Sequence, residues 1–358
     1  MKLDDLYTDK QLIYNSVISN ICKAKPKSSN AIATTNASTS NYVCLKIVDV
    51  DFKIPPHSIK REIKAIKSLQ EHGGIVKYIE DFQIYEDVIL VLKYYPFNLN
   101  QLIMNKKYCR KRTRYDLGGD GSSNVKYTLS NIITQWQLKQ LVTNLVSSIK
   151  FIHANDIIHR DLKPGNILFV DEDITKPVIA DFGVCYNLLD PPEDEPLMQK
   201  YTDVSTSIYK PPELILGISN YSFEVDYWSL AIVLTILYSP DFKSILIRDD
   251  HVGVRADDND ADEEMNNESG ISDLHLLSCI FRVFGTPTYN ENDIHSDEDR
   301  EQLYWPELDD DDLHFKKFNL KRFKRKSLAE IIPKCEDEEV KHLFQKMTRY
   351  DREKRSIE

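Results

Sequence analysis

Apolar positions along the first quarter of the chain come in short runs broken by polar turns. Gln11–Ile18 (QLIYNSVI), Tyr42–Val48 (YVCLKIV), Ile75–Tyr85 (IVKYIEDFQIY) and Val88–Tyr95 (VILVLKYY) have strand length and β-branched or aromatic content. One helical pattern interrupts them. In HSIKREIKAIKSLQEH, residues Ile59, Ile63, Ile66 and Leu69 recur at the spacing that puts them on one helix face. From about residue 99 the pattern turns helical. WQLKQLVTNLVSSIKFIHAN sets Leu138, Leu141, Leu145, Ile149 and Ile152 on one face of a long amphipathic helix. EVDYWSLAIVLTILYS is apolar almost all round, which predicts a helix buried in a large lobe. DLHLLSCIFRVFG and EEVKHLFQKMTRY read as further helices. The expected architecture is α+β and two-lobed: a small β-rich lobe with one helix over 1–98 and a larger, mainly α-helical lobe over 99–358, linked near Lys93–Asn98.

Three polar stretches read as loops or solvated insertions: 23–41, 105–128 (basic, then glycine-rich) and the acidic 248–270. At 358 residues and 41% hydrophobic content the chain can bury a large core. Its net charge of -11 argues against nucleic acid as the main partner. The six cysteines are scattered with no C-x-x-C pair, which suits free thiols in a reducing compartment. The N-terminus lacks a signal-peptide layout and no run of 18 apolar residues occurs. The expectation is a soluble intracellular protein with no membrane partner.

The densest chemistry lies in Ile157–Asn166, IIHRDLKPGN, where five polar heads of different kinds follow one another. A second segment, IADFGV, places Asp181 20 residues beyond Asp161. Phosphoryl transfer asks little covalent chemistry of a protein. It needs a carboxylate to accept the proton of the attacking hydroxyl, oxygens to hold Mg²⁺, and a cation beside the phosphates. Asp161 is the candidate base and Lys163 the cation next to the transferring group. Asn166 and Asp181 supply the hard oxygen ligands that Mg²⁺ prefers. H-R-D-L-x-x-x-N followed by D-F-G resembles the catalytic and metal loops of protein kinases. The resemblance implies the bilobal protein-kinase fold, with ATP as donor and Mg²⁺ as its ion.

Other parts of that resemblance follow in order. VCLK ends in Lys46, and Glu62 of KREIKAI stands on the next helix, as a kinase's strand lysine and its helix partner do. PPE, with Glu213, occupies the place of A-P-E; DYWS supplies Asp226; Arg355 in YDREKR is placed to pair with Glu213. Lys163 and Thr206, the latter in DVSTSIYKPPE, fit a serine/threonine enzyme, and by resemblance Thr206 bridges Asp161 and Lys163. Alignment to kinases in general puts adenine against VLKYYPF, with Leu92 as gatekeeper and the backbones of Lys93 and Tyr95 as edge contacts.

No glycine precedes Gly73. Kinases commonly open with G-x-G-x-x-G, because residues without a Cβ let backbone N–H groups close over the phosphates. The corresponding hairpin here, YNSVISNICKAK, predicts a weaker grip on them. Either the chain is an active kinase holding ATP through Lys46, Mg²⁺ and the hinge, or it is a pseudokinase scaffold. IFRVFGTPT with YWPEL resembles the cyclin-dependent and MAP-kinase branch. IPPHSIKREI resembles the cyclin-facing helix of that branch, except that Lys60 replaces an apolar residue with one suited to solvent.

The glycine-free start, DFKIPPH, TDVSTSIYKPPE and the acidic stretch before LLSCIFRVFG together resemble the fungal monomeric CDK-activating kinases. That resemblance implies phosphorylation of the activation-loop threonine of a cyclin-dependent kinase in cell-cycle control, by a monomer that needs no cyclin, in the cytoplasm and/or nucleus. The alternative within the branch is a kinase that requires a partner subunit. Arg160 is placed to collect a phosphate on Thr202, although the resembling family does not depend on one. The basic run KRFKRK (321–326) is either a nuclear address or a solvated helix face.

Overall fold

The apolar runs of the first hundred residues pair into an antiparallel sheet. In a computed structural model, residues 2–27, 42–51, 54–117, 123–247, 271–310, 315 and 321–358 are described. The strands are β1 (Tyr7–Asn15), β2 (Asn20–Pro26), β3 (Val43–Asp49), β4 (Tyr78–Ile84) and β5 (Asp87–Lys93), in the spatial order β1-β2-β3-β5-β4. β5 is internal to the sheet and reads as a continuous buried run from Val88 to Leu92. Tyr7, Ala24, Val43, Leu45, Ile89 and Val91 form the core beneath it. The expected helix spans Ile59–Ser68 and starts at Ser58, whose hydroxyl accepts the Arg61 N–H.

Packing divides the chain into two compact units: Met1–Asn100 with Thr143–Pro191, and Gln101–Val142 with Pro192–Glu358. This grouping follows the chain differently from a boundary at 98/99. The reason is visible in the backbone. Phe97–Asn98 pairs with Ile167–Phe169 in a three-stranded sheet, and Val76 N–H donates to Ile179 O at 2.9 Å. At Gly74 a Cβ would fall 2.0 Å from Ser148 Oγ, so glycine permits the close approach of the helix Gln135–Ala154.

The second unit is mainly helical. Glu224–Leu237 is buried at every position but Tyr227, as its all-round apolar sequence predicts. Beside it lie Asp273–Phe284 and Glu338–Met347. Gly285 ends the former at φ +86°, where a Cβ would meet Leu303 Cδ2 at 2.7 Å. Arg355 and Glu213 form the expected pair at 2.5 and 3.2 Å, both side chains fully enclosed. Arg355 also donates to the Arg349 and Glu224 carbonyls and lies 5.1 Å over the Trp228 ring.

Three readings of polar segments are corrected. Within 105–128, the described residues from Cys109 onward are not a loop. Cys109–Leu117 and Ser123–Asn131 pair antiparallel through nine residue pairs as a separate hairpin. Cations fill the outgoing strand, so it carries no apolar alternation in the sequence. Likewise Lys23–Pro26 completes β2 rather than opening a loop, while 28–41 and all of 248–270 lie outside the described residues. KRFKRK is not a helix face. It runs without helix, with Phe323 exchanging hydrogen bonds with Thr286, and Arg325 donating to Thr348 Oγ1 at 2.7 Å. The six cysteines are free, and among the described residues no helix is long and apolar enough to cross a membrane.

Arg355→Met is expected to destabilise the protein by about 3–5 kcal/mol, because Glu213 is left charged in a dry interior. Equilibrium denaturation in urea measures it, and a loss below about 1 kcal/mol would show that the pair contributes no more than a surface bridge.

Candidate active site

Residue alternation on β3 turns Lys46 inward. The side chain is held at the register Lys46↔Leu90 on one side and Ile21↔Lys46 on the other. Its ammonium meets both Glu62 oxygens at 2.8 Å and Asp181 Oδ1 at 2.8 Å. Glu62 comes from the buried face of Ile59–Ser68, and Asp181 from the segment after the strand Val178–Ile179. Burial works against the Lys46 charge, but the Asp181 and Glu62 carboxylates outweigh it and hold the ammonium well above its ordinary range. Burial would also raise the Asp181 carboxyl. The Lys46 ammonium overrides this and keeps it ionised far below the usual carboxylate range. Glu62 is the more enclosed acid, and there burial prevails over Lys46, so its carboxyl is raised.

The start of the helix is tied to the same cluster. Ser58 N–H donates to the Gly183 carbonyl at 3.0 Å. A Cβ on Gly183 would sit 3.2 Å from Asp181 Oδ1 and 3.4 Å from Lys46 Nζ, crowding the ions. Asp181 itself takes φ +64°, a left-handed conformation uncommon outside glycine.

The IIHRDLKPGN segment builds a second cluster in the same unit. Lys163 Nζ lies 3.0 Å from Asp161 Oδ2. Asn166 Nδ2 donates to the Asp161 carbonyl at 2.8 Å and to Asp161 Oδ2 at 3.1 Å. With its amide nitrogen turned to Asp161, Asn166 presents its oxygen as the remaining acceptor. His159 joins this cluster to the Asp181 segment. Asp161 N–H donates to His159 Nδ1 at 3.3 Å, so Nε2 carries the ring proton toward the Ala180 carbonyl at 3.0 Å. The His159 ring also packs edge-on against Phe182 at 4.8 Å.

Leu92 is buried and stands opposite Cys44 and Tyr78. Lys93 N–H is committed to the Lys77 carbonyl at 2.9 Å, and the Tyr95 hydroxyl accepts the Lys77 N–H at 3.3 Å. Thr206 lies in the other unit, just before the 3-10 turn Ser207–Tyr209, where its carbonyl accepts the Tyr209 N–H. Arg160 is fully buried at φ +68°. Its Nε donates to the Val184 carbonyl at 2.5 Å, and its guanidinium lies 5.3 Å from the Tyr186 ring.

Three functional features were not read from the sequence. The first is His159, quoted within the motif but given no role there. The second is Tyr186, the ring beside Arg160. The third is Ser16. The β1–β2 turn is closed by its hydroxyl, which accepts N–H groups of Ile18 at 3.2 Å and Ser19 at 3.1 Å. Two of the turn amides that a glycine loop would offer to phosphates, those of Ile18 and Ser19, are therefore already engaged.

Asn166 and Asp181 suit a hard divalent cation. Two protein oxygens leave most of the coordination sphere to phosphates and water, as Mg²⁺ favours. The buried lysine with its two carboxylates, the base-bearing segment and the paired oxygens define a phosphotransferase site, and residues 27–357 match the protein kinase domain. The chain belongs to the protein kinase family, whose members use ATP with a divalent metal. It is similar to serine/threonine-protein kinase CAK1 of Saccharomyces cerevisiae, at 32% identity over 269 residues, 70% of each chain. It is also similar to serine/threonine-protein kinase KIN28 of the same yeast, at 26% over 64% of this chain and 56% of that one. Cyclin-dependent kinase 20 of Danio rerio matches at 26% over 78% of this chain and 61% of its own. The chain is thus a serine/threonine protein kinase with relatives in the cyclin-dependent branch.

Ser16→Gly together with Ser19→Gly is expected to tighten ATP binding about tenfold, the worth of roughly one charge-assisted hydrogen bond. Calorimetric titration with Mg·ATP reads the change. An unaltered Kd would show that the serine-closed turn does not limit the hold on phosphate.

Proposed function

We propose that this kinase transfers the γ-phosphate of Mg·ATP to the activation-loop threonine of a cyclin-dependent kinase, acting as a monomer without a cyclin. The observation that carries the phosphotransfer is the joining of the Lys46–Glu62–Asp181 and Asp161–Lys163–Asn166 clusters through His159. Similarity to CAK1 along 70% of the chain supports the substrate. Lys60 supports independence from a cyclin, because its exposed charge occupies a helix face that would otherwise be apolar.

In this reading Asp161 accepts the proton of the attacking threonine hydroxyl. Lys163, bonded to Asp161, follows the charge that builds on the transferring group. Lys46 orients the non-transferring phosphates and is itself kept charged and in place by Glu62. Asn166 and Asp181 would hold a magnesium ion, which would supply charge neutralisation at the phosphates. Leu92 bounds the adenine site, with Lys93 and Tyr95 at its edge. The place of work is the cytoplasm and/or nucleus. A pseudokinase reading finds little support, since each of these side chains is present.

The test is transfer of labelled phosphate from Mg·ATP to a purified cyclin-dependent kinase by this chain alone. Asp161→Asn is expected to lower turnover by about 10²–10⁴-fold, and a Thr→Ala change in the substrate's activation loop to abolish labelling. Transfer to a generic basic protein only would remove the proposed substrate and keep the enzyme. Dependence on an added cyclin would restore the partner-requiring alternative.

Thr202→Ala is expected to keep turnover within tenfold of the parent, as measured in the same assay. The Arg160 guanidinium is already engaged by the Val184 carbonyl and the Tyr186 ring inside its own unit. A larger loss would mean that a phosphate on Thr202 completes the site.

A further inference from the structure

The hairpin Cys109–Asn131 stands apart from every other sheet of the structure. In its described part, Arg110, Lys111, Arg112 and Thr113 are all exposed, so both faces of the outgoing strand meet solvent. Tyr127 and Thr128 on the return strand are exposed as well. The register sets Arg110 opposite Ser130 and Arg112 opposite Thr128, with Lys111 and Thr113 on the other face opposite Leu129 and Tyr127. Among the side chains at 109–113 and 127–131 three are cationic and none is acidic. This occurs on a chain of net charge -11.

A lone two-stranded hairpin is marginal in water, and this one is anchored at its foot. Asn131 Nδ2 donates to the Leu237 and Ser239 carbonyls, both at 2.8 Å, and its N–H to the Pro240 carbonyl at 2.7 Å. Its Oδ1 accepts the Ile133 N–H at 3.0 Å, and its carbonyl accepts Lys334 Nζ at 2.8 Å. Every polar group of Asn131 is thus used to root the arm in the helical unit. Five residues beyond it, Trp136 is 65% exposed, whereas Trp228 and Trp305 are fully buried. Ile132 at 39% and Tyr127 at 51% add further exposed apolar surface. Arginine, tryptophan and tyrosine are the residues that most often anchor protein interfaces.

We propose that the foot of this strand pair, residues 109–113 and 127–131, with Trp136 beyond it, docks an acidic surface of the protein substrate. The proposal rests on the reading of the chain as a kinase acting on a folded protein, and it names how that protein is chosen. Charge complementarity sets the partner. A few carboxylates on a protein meet the cationic run locally. A nucleic acid is disfavoured, because its charge repeats about every 1.7 Å along a duplex and would extend over an otherwise acidic chain. The described aromatic of the arm, Tyr127, already has one face under the Lys111 ammonium at 4.2 Å, which competes there with base stacking.

The test uses the full chain and the triple variant Arg110→Ser/Lys111→Ser/Arg112→Ser, with tryptophan fluorescence as the readout because Trp136 is the exposed indole. Titration with poly-L-glutamate is expected to saturate for the parent, to weaken with salt, and to weaken at least tenfold in the variant. In parallel, the variant's KM for the folded protein substrate is expected to rise at least tenfold with kcat unchanged, while phosphorylation of a short acceptor peptide stays the same. Equal poly-L-glutamate binding and equal KM in both proteins would overturn the proposal. So would tighter binding of an oligonucleotide of matched charge, or a dimer by sedimentation that the variant loses, since either names a different occupant. The glutamate titration needs no phosphotransfer, so a failure of the kinase assignment and a failure of the arm are read separately. Thermal unfolding of the variant, and the single change Arg110→Gln, separate lost docking from lost folding.

Discussion

One ammonium organises the first unit. Lys46 is drawn out of water by β3, and a buried cation is costly unless anions accompany it. Glu62 and Asp181 both reach it at 2.8 Å, from a helix and from a segment far along the chain. Satisfying that charge therefore fixes the helix against the sheet and brings the Asp181 segment beneath both. Ser58 and Gly183 repeat the connection through the backbone. The left-handed φ at Asp181 is tolerated because the ion cluster rewards that conformation. His159 then passes the constraint on to Asp161 and Asn166, so the positions of both depend on the same charge.

The second unit solves a similar problem with less solvent. Glu213 and Arg355 are both fully enclosed, and the pair is supplemented by two carbonyls and the Trp228 ring. Nearby, Arg352 reaches Glu224 at 3.0 Å and Asn220 at 3.1 Å, and also pairs with Glu307. Such pairs add little net stability over an apolar core but penalise any arrangement that separates the partners. They act as registration for segments from Glu213 to Arg355, while the apolar helix Glu224–Leu237 supplies the burial. Against that fixed frame Asn131 roots the basic arm, which explains how an exposed hairpin without its own core keeps its position.

The nucleotide end departs from the usual kinase arrangement in chemistry more than in topology. β1 and β2 still form the hairpin that the sequence YNSVISNICKAK occupies. Its turn is closed by Ser16 rather than left open by glycine, so the local hydrogen bonds that stabilise the hairpin compete with those a phosphate would make. Under the proposed function, the burden of holding the phosphates would shift to Lys46 and to the oxygens of Asn166 and Asp181, all of which are side-chain groups.

Residue types at short range determined a good deal from the sequence alone. Periodicity located the helices at Ile59–Ser68, Gln135–Ala154 and Glu224–Leu237, because an amphipathic or wholly apolar stripe has few other folded uses. The chemistry of phosphoryl transfer singled out Asp161, Asn166 and Asp181, and the resemblance to protein kinases added Lys46, Glu62 and the Glu213–Arg355 pair. Tertiary structure decided what those rules do not encode. A strand made of arginine and lysine gives no apolar alternation, so the arm at Cys109–Asn131 became visible only through its backbone pairing. KRFKRK looked like a surface because it is basic, yet Arg325 lies across the Phe284 ring. Which amides Ser16 occupies, and which carbonyl fixes the His159 tautomer, depend on distances of a few tenths of an ångström. Hydrogen bonds are decided at that scale, and residue order does not carry it.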